Sequence, residues 1–264
     1  MILDIYQVDA FSDKAFAGNP AAVVLLTGEL SDAQMLAIAA ENNLSETAFI
    51  GPTETAADYQ LRWFTPKVEV DLCGHATLAA AHVLFEPLQW SKPSIRFSTL
   101  SGMVEVARQD DKLALNFPAR PGQPGAVPAE LLKALGLSYD RLDHFAESRD
   151  YLVVLSNQAQ LQALAPDFQA LAACTQAGVI VTAPGDKHDF VSRFFVPSYG
   201  IDEDPVTGSA HCTLVPYWAE RLHKTSLLAK QISPRGGELY CQYQAGRVIM
   251  AGYSSLFLKG EIYL

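Results

Sequence analysis

Basic residues are scarce in this chain: 19 Lys and Arg stand against 29 Asp and Glu, for a formal net charge of −10. That balance disfavours nucleic acid and anionic membrane as partners, since both reward clustered Lys and Arg. Long apolar runs are missing as well, and none approaches the ~20 residues of a membrane-spanning helix. The opening Met1-Ile2-Leu3-Asp4-Ile5 lacks the basic and apolar regions of a signal peptide. Four scattered cysteines, Cys73, Cys174, Cys212 and Cys241, form no CxxC pair. Their spacing excludes a small disulfide framework and predicts reduced thiols in a soluble, cytoplasmic protein. Also absent are a GxGxxG after a strand, a P-loop, a GxSxG elbow and HExxH, and the six histidines show no ligand spacing. The sequence therefore predicts no metal and no cofactor.

What is present suits a packed globular protein: 49% hydrophobic and 18% charged residues in 264 positions, enough for two domains of ordinary size. The halves resemble each other. Arg62-Trp63-Phe64-Thr65-Pro66 has a counterpart in Arg193-Phe194-Phe195-Val196-Pro197. Gly74-His75-Ala76-Thr77, opening an apolar helical pattern, is matched by Gly208-Ser209-Ala210-His211, and the hairpin from Gly102 by one from Gly237. The offsets are 131, 134 and 135 positions, close to half the chain, which reads as a duplication.

Runs rich in Val, Ile, Leu, Tyr and Phe predict strands near 2–9, 21–27, 47–51, 58–65, 94–98, 102–107 and 112–117. In the second half they fall near 142–146, 150–156, 177–182, 188–196, 227–232, 237–243, 246–252 and 256–263. Helices are expected at 31–43, with Ser31 as N-cap, and at 74–86, 128–136, 158–172 and 208–223. Strands outnumber helices and no βαβ alternation is evident, so a doubly wound parallel fold is excluded. The stretch around Pro118, Pro121, Pro124 and Pro128 reads as a linker between domains at 1–118 and 119–264, the last strand being free to pair with the first domain. Ala76, Leu78, Ala79, Ala80, Ala81, Val83 and Leu84 make the first long helix apolar on nearly all sides. Such a helix must be buried all round. The expected architecture is α+β: two pseudo-symmetric, barrel-like β domains, each wrapped around a central α-helix.

Candidate chemistry gathers at the two helix starts. Gly74-His75 and Thr207-Gly208-Ser209 place small residues where the first amides lack intrahelical partners, an arrangement that either binds an anion or merely permits tight packing. Asp204, before Pro205, is either a turn former or a buried carboxylate serving an imidazole. Glu46, beside an apolar strand, is either a solvated loop residue or an acid that gives and takes protons. His82 reads as a core histidine.

Together, Asp9-Ala10-Phe11, Gly18-Asn19-Pro20-Ala21-Ala22-Val23-Val24, Asn43-Leu44-Ser45-Glu46-Thr47-Ala48-Phe49 and Arg62-Trp63-Phe64-Thr65-Pro66 resemble the PhzF family, named for the isomerase of phenazine biosynthesis. Glu69-Val70-Asp71-Leu72-Cys73-Gly74-His75-Ala76-Thr77 and Glu203-Asp204-Pro205-Val206-Thr207-Gly208-Ser209-Ala210 extend the likeness over nearly the whole chain. The resemblance implies the diaminopimelate-epimerase-like fold with its active site between the domains. It implies a cofactor-independent proton shift on a small carboxylate-bearing substrate, as in isomerisation of a dihydro-hydroxyanthranilate. Glu46, His75 and Asp204 would be catalytic; Ser45, Cys73, Gly74, Thr207, Gly208 and Ser209 would bind substrate. A homodimer is expected. The related epimerases use two thiols; Cys73 stands at the first helix start, but Asp204-Pro205-Val206-Thr207 has no cysteine. A thiol-assisted racemase and a catalytically silent ligand-binding or interaction protein remain as alternatives.

Overall fold

The computed structural model describes residues 1–264. They form two compact units, residues 1–116 with 251–264 and residues 117–250. The first contains β1 (Ile2–Ala10), β2 (Asn19–Leu25), α1 (Asp32–Asn42), β3 (Glu46–Gly51), β4 (Tyr59–Phe64), β5 (Glu69–Val70), α2 (Gly74–Phe85), β6 (Ser94–Thr99), β7 (Gly102–Gln109) and β8 (Lys112–Pro118). Next come β9 (Gln123–Pro124), α3 (Ala129–Leu135), β10 (Leu142–Glu147), β11 (Tyr151–Leu155), α4 (Gln158–Gln162), α5 (Phe168–Cys174), β12 (Val179–Pro184) and β13 (Phe190–Val196). Then follow β14 (Ile201–Asp204), α6 (Gly208–Leu222), β15 (Ser226–Gln231), β16 (Gly237–Gln244) and β17 (Arg247–Gly252). The final strand, β18 (Ser254–Tyr263), returns to the first unit and runs antiparallel to β1 from Ala10↔Ser254 to Ile2↔Tyr263. No helix is long and apolar enough to cross a membrane.

The units repeat one order of pairings. In the first, β1 and β2 are antiparallel, β2 and β3 parallel across α1, β3 and β4 antiparallel, and β4 and β6 parallel across α2. In the second, β10 and β11 are antiparallel, β11 and β12 parallel across α4 and α5, β12 and β13 antiparallel, and β13 and β15 parallel across α6. Helix-bridged parallel pairs are thus present, contrary to the expectation from the sequence. Antiparallel hairpins separate them, which breaks up the alternation by which they are usually read. The mixed α+β class stands.

Each unit buries two layers. Met35, Ile38 and Ala39 of α1 pack with Leu3, Val24, Phe49 and Phe64 on one side of the first sheet. On the other side lies α2, buried along its whole length apart from half-buried His82, against β1, β2, β3, β7 and β18. An all-apolar helix has no face to offer water, so strands surround it. In the second unit α3, α4 and α5 cover the outer layer through Leu131, Leu135, Leu161 and Leu171, while α6 is the buried inner helix.

Two local details differ from the sequence reading. The helix expected at 158–172 is two short ones, because Pro166 lacks an amide hydrogen and cannot continue the first. The Pro-rich linker is tied down: β9 pairs with β10, and the Ala119 amide donates to Gly246 O at 2.9 Å. Its next amide, Arg120, donates to Cys212 O at 2.8 Å. That carbonyl would otherwise face the missing amide of Pro216 four residues on, so the linker repairs a gap in α6.

Gly18 closes the loop between β1 and β2 with φ +70°, and a Cβ there would sit 2.2 Å from Ala10 O. A Gly18→Ala substitution is therefore expected to cost about 2–4 kcal/mol, from left-handed strain and overlap with backbone. Urea unfolding measures this, and a change below about 0.5 kcal/mol would contradict it.

Candidate active site

Glu46 is positioned from both directions along the chain. α1 ends at Asn43 in the left-handed region, φ 49°, and the Asn42 side-chain amide donates to Thr47 Oγ1 at 3.0 Å. These contacts fix the turn carrying Ser45 and Glu46, both partly exposed, and β3 then runs beside β2 with Ala21 opposite Glu46. Cys73 is the residue before α2, in extended conformation, with Gly74 and His75 buried in the first turn. Its carbonyl accepts from Thr77 N at 3.1 Å and from Thr77 Oγ1 at 2.5 Å. Upstream, the Arg62 guanidinium forks onto Glu69 with two contacts of 2.7 Å and holds the β4–β5 hairpin that leads into α2.

The outcome is a compact polar cluster inside the first unit. His75 Nε2 lies 3.0 Å from Glu46 Oε2, and His75 Nδ1 lies 3.5 Å from Cys73 Sγ. Asn19 Nδ2, at the start of β2 and buried, lies 3.1 Å from His75 Nδ1. Glu46 Oε2 is buried, and the His75 contact is close without being an aligned hydrogen bond. Burial opposes a charged imidazole at His75, but Cys73 and Glu46 outweigh it and lift its pKa well above the ordinary range. An amide offers Nδ1 a donor or, turned over, an acceptor, so Asn19 can accompany either charge state of the ring. Cys73 is pushed up to about 11, first by burial and then by the Glu46 charge. At neutral pH it is a thiol. As donors, Glu46, Cys73 and His75 also form the one Glu/Cys/His group in which a carboxylate oxygen, a sulfur and a ring nitrogen all lie within 4.8 Å of one another.

A second cluster lies within the second unit. Asp204, buried at the end of β14, accepts a hydrogen bond from Thr207 Oγ1. Gln231 at the end of β15 spans the loop: its Oε1 accepts from Thr207 N at 2.8 Å and its Nε2 donates to Asp204 O at 2.7 Å. Ser233 Oγ donates to Pro205 O at 2.8 Å. Gly208 is buried in the first turn of α6 and Ser209 is partly exposed there. Arg193 forks onto Glu203 with two contacts of 2.8 Å, repeating the arrangement of Arg62 on Glu69. Asp204 therefore meets a threonine hydroxyl. His211 is spent elsewhere: its Nδ1 donates to Thr207 O at 2.8 Å, and burial lowers its pKa to about 4. Cys212 is buried along α6 with its Sγ 3.9 Å from Gly208 O, and burial pushes it up to about 11. His82 pairs with Ser254 Oγ at 2.8 Å, and burial lowers its pKa.

Two contributors went unassigned from sequence. Asn19 lies within the motif Gly18-Asn19-Pro20, and a polar residue at the mouth of an apolar strand is its available signal. Gln231 closes a strand with nothing around it to mark it.

The profile of the family described as phenazine biosynthesis-like protein matches residues 8–260. An uncharacterized isomerase of Pseudomonas aeruginosa is 50% identical over 264 residues, covering all of both chains. Among solved structures, a phenazine biosynthesis protein of the PhzF family from Enterococcus faecalis superposes with a TM-score of 0.94 at 46% identity, covering all of both chains. A hydroxyproline epimerase from Agrobacterium vitis shares the fold at 12% identity and TM-score 0.63, over 99% of this chain and 92% of that one.

Burial and a raised pKa at Cys73 predict slow alkylation. At pH 7.5, iodoacetamide should modify exposed Cys174 and leave Cys73 unlabelled on the same timescale, as mapped by mass spectrometry. Labelling of Cys73 as fast as Cys174 would contradict the neutral, shielded thiol.

Proposed function

The chain belongs to the phenazine biosynthesis-like family and is an isomerase, and we propose that it moves a proton on a small carboxylate-bearing substrate without a cofactor. Glu46 takes the proton from one carbon as general base and returns it to another as general acid. The single observation that carries this reading is the 3.0 Å approach of His75 Nε2 to a buried Glu46 oxygen with no aligned hydrogen bond. A carboxylate oxygen kept from water and paired only with an imidazole is positioned to engage a substrate C–H. His75 balances the charge on Glu46 as the proton moves.

Asp204 belongs to the proposed proton path, with Ser45, Cys73, Gly74, Thr207, Gly208 and Ser209 binding substrate. Support comes from the rigid hold on Asp204 and Thr207 by Gln231, and from the small residues at both helix starts. Amides there stabilise a carboxylate or a developing enolate by roughly 0.3–1 kcal/mol each side, and up to ~2 when partly buried. The proposal includes a homodimer. Leu256, Phe257 and Leu258 are exposed in succession on β18, with the exposed Phe16 ring edge-on to Phe257 at 5.6 Å, an apolar surface that a second copy would cover.

A thiol-assisted racemase is favoured only by Cys73 standing beside His75. The Cys73 thiol is neutral at pH 7, and the other helix start carries Thr207 where a second thiol would stand.

Incubating the enzyme with candidate carboxylates in D₂O reads the proton step by mass spectrometry. Glu46→Gln is expected to lower deuterium incorporation by about 10²–10⁴-fold, while Cys73→Ser stays within about tenfold of wild type. The reverse pattern would establish the racemase instead, and full exchange by Glu46→Gln would remove Glu46 from the mechanism.

A further inference from the structure

We propose that Gln231 is a positioning residue that dictates which way the Thr207 hydroxyl points, and so presets Asp204 as a proton acceptor. Its consequence for turnover rests on the function proposed above, in which Asp204 belongs to the proton path. Gln231 ends β15 and is fully buried, and Asp204 and Thr207 are buried on the segment leading into α6. The Gln231 amide has one permitted orientation. Its Oε1 accepts from the Thr207 main-chain amide at 2.8 Å, and its Nε2 donates to the Asp204 carbonyl at 2.7 Å. A main-chain N–H can only donate and a carbonyl can only accept. Turning the side chain over would set donor against donor and acceptor against acceptor.

That orientation decides the hydroxyl. Nε2 also lies 3.2 Å from Thr207 Oγ1, and because Nε2 has only hydrogens to offer, Oγ1 is the acceptor there. A threonine hydroxyl carries a single proton, and with a lone pair facing Gln231 that proton goes to Asp204 Oδ2. Asp204 Oδ2 is therefore held as an acceptor without a proton of its own. When Asp204 takes a proton at this oxygen, its O–H fills the second lone pair of Oγ1, and the Thr207 proton must turn to a different acceptor. One proton is gained by the carboxylate, and no electron changes hands. Neighbouring groups do not compete for this direction. His211 Nδ1 donates to Thr207 O, and burial lowers its pKa to about 4, so the ring is neutral. Glu203, next to Asp204 on β14, is held by the Arg193 fork. Thr207 precedes Gly208 as Cys73 precedes Gly74, so a directed hydroxyl stands where the repeat has a thiol.

Neutron diffraction from wild-type crystals exchanged into D₂O at pH 7 reads the proton directions directly. Deuterons on Gln231 Nε2 should point at Asp204 O and Thr207 Oγ1, and the Thr207 deuteron at Asp204 Oδ2. A deuteron on Asp204 Oδ2, or a Thr207 deuteron aimed elsewhere, would overturn the proposal without any variant having to fold. Carbon-13 NMR of the Asp204 carboxyl gives a second reading in solution. Thr207→Val should raise the proton affinity of that carboxyl about tenfold, as expected for a lost hydrogen bond to a charged group. Gln231→Met, which keeps the length but not the amide, should raise it about threefold or more, and Thr207→Ser should keep the wild-type titration. An unchanged titration in folded Thr207→Val or Gln231→Met would also overturn the role of Gln231. Neither measurement uses a substrate, so a misdirected hydroxyl is told apart from a failed Glu46 shuttle, which deuterium exchange reads.

Discussion

A helix buried on every side carries its first turn into the interior, and α2 does this with Cys73, Gly74 and His75. The amides of that turn have no intrahelical acceptors, and polar side chains on it have no water. They must be met by other parts of the unit or by a ligand. Glu46 and Asn19 meet His75 from the starts of two neighbouring parallel strands, β3 and β2. The apolar surface that drives α2 inward is thus also what places a carboxylate beside an imidazole under low-dielectric conditions, where their coupling is strong.

The second unit shows the same frame with different groups. An arginine fork holds the hairpin before each inner helix, Arg62 on Glu69 and Arg193 on Glu203. At the start of α6, however, the carboxylate is Asp204, which accepts from the Thr207 hydroxyl, while the Gln231 side-chain amide donates to the Asp204 main-chain carbonyl. A repeated fold has therefore been given two chemistries. The first groups a carboxylate with an imidazole and a thiol, the second a carboxylate with a hydroxyl in a loop that Gln231 holds. Pro216 inside α6 shows how tightly this is integrated, since Arg120, well outside the helix, supplies the amide that the proline lacks.

Much of this was legible in the sequence, for physical reasons. Small residues opening long apolar helices identified both inner helices and their starts, because an all-apolar helix has one possible environment. The duplication could be read because three motifs recur at a nearly constant offset. The parallel crossovers could not, since hairpins interrupt them and periodicity reports pairing partners poorly. Pro166 was read through because the apolar pattern continues past it, and the proline-rich stretch was taken as a tether although its amides serve as donors. In the candidate site, Glu46 and His75 were marked by motif, but Asn19 and Gln231 act through single side-chain contacts that leave no pattern in a strand. The Glu46–Cys73–His75 cluster was hidden by its own construction, two neighbouring positions joined by a third from a distant strand.

The central claim is an electrostatic pairing of Glu46 with His75, and NMR titration of the His75 ring tests it most directly. In the wild-type protein the ring should keep its second proton well above pH 6.5, the ordinary histidine midpoint, and in Glu46→Gln the midpoint should fall. An identical midpoint in both proteins would show that the two side chains do not share charge, and the proposed relay would have no physical basis.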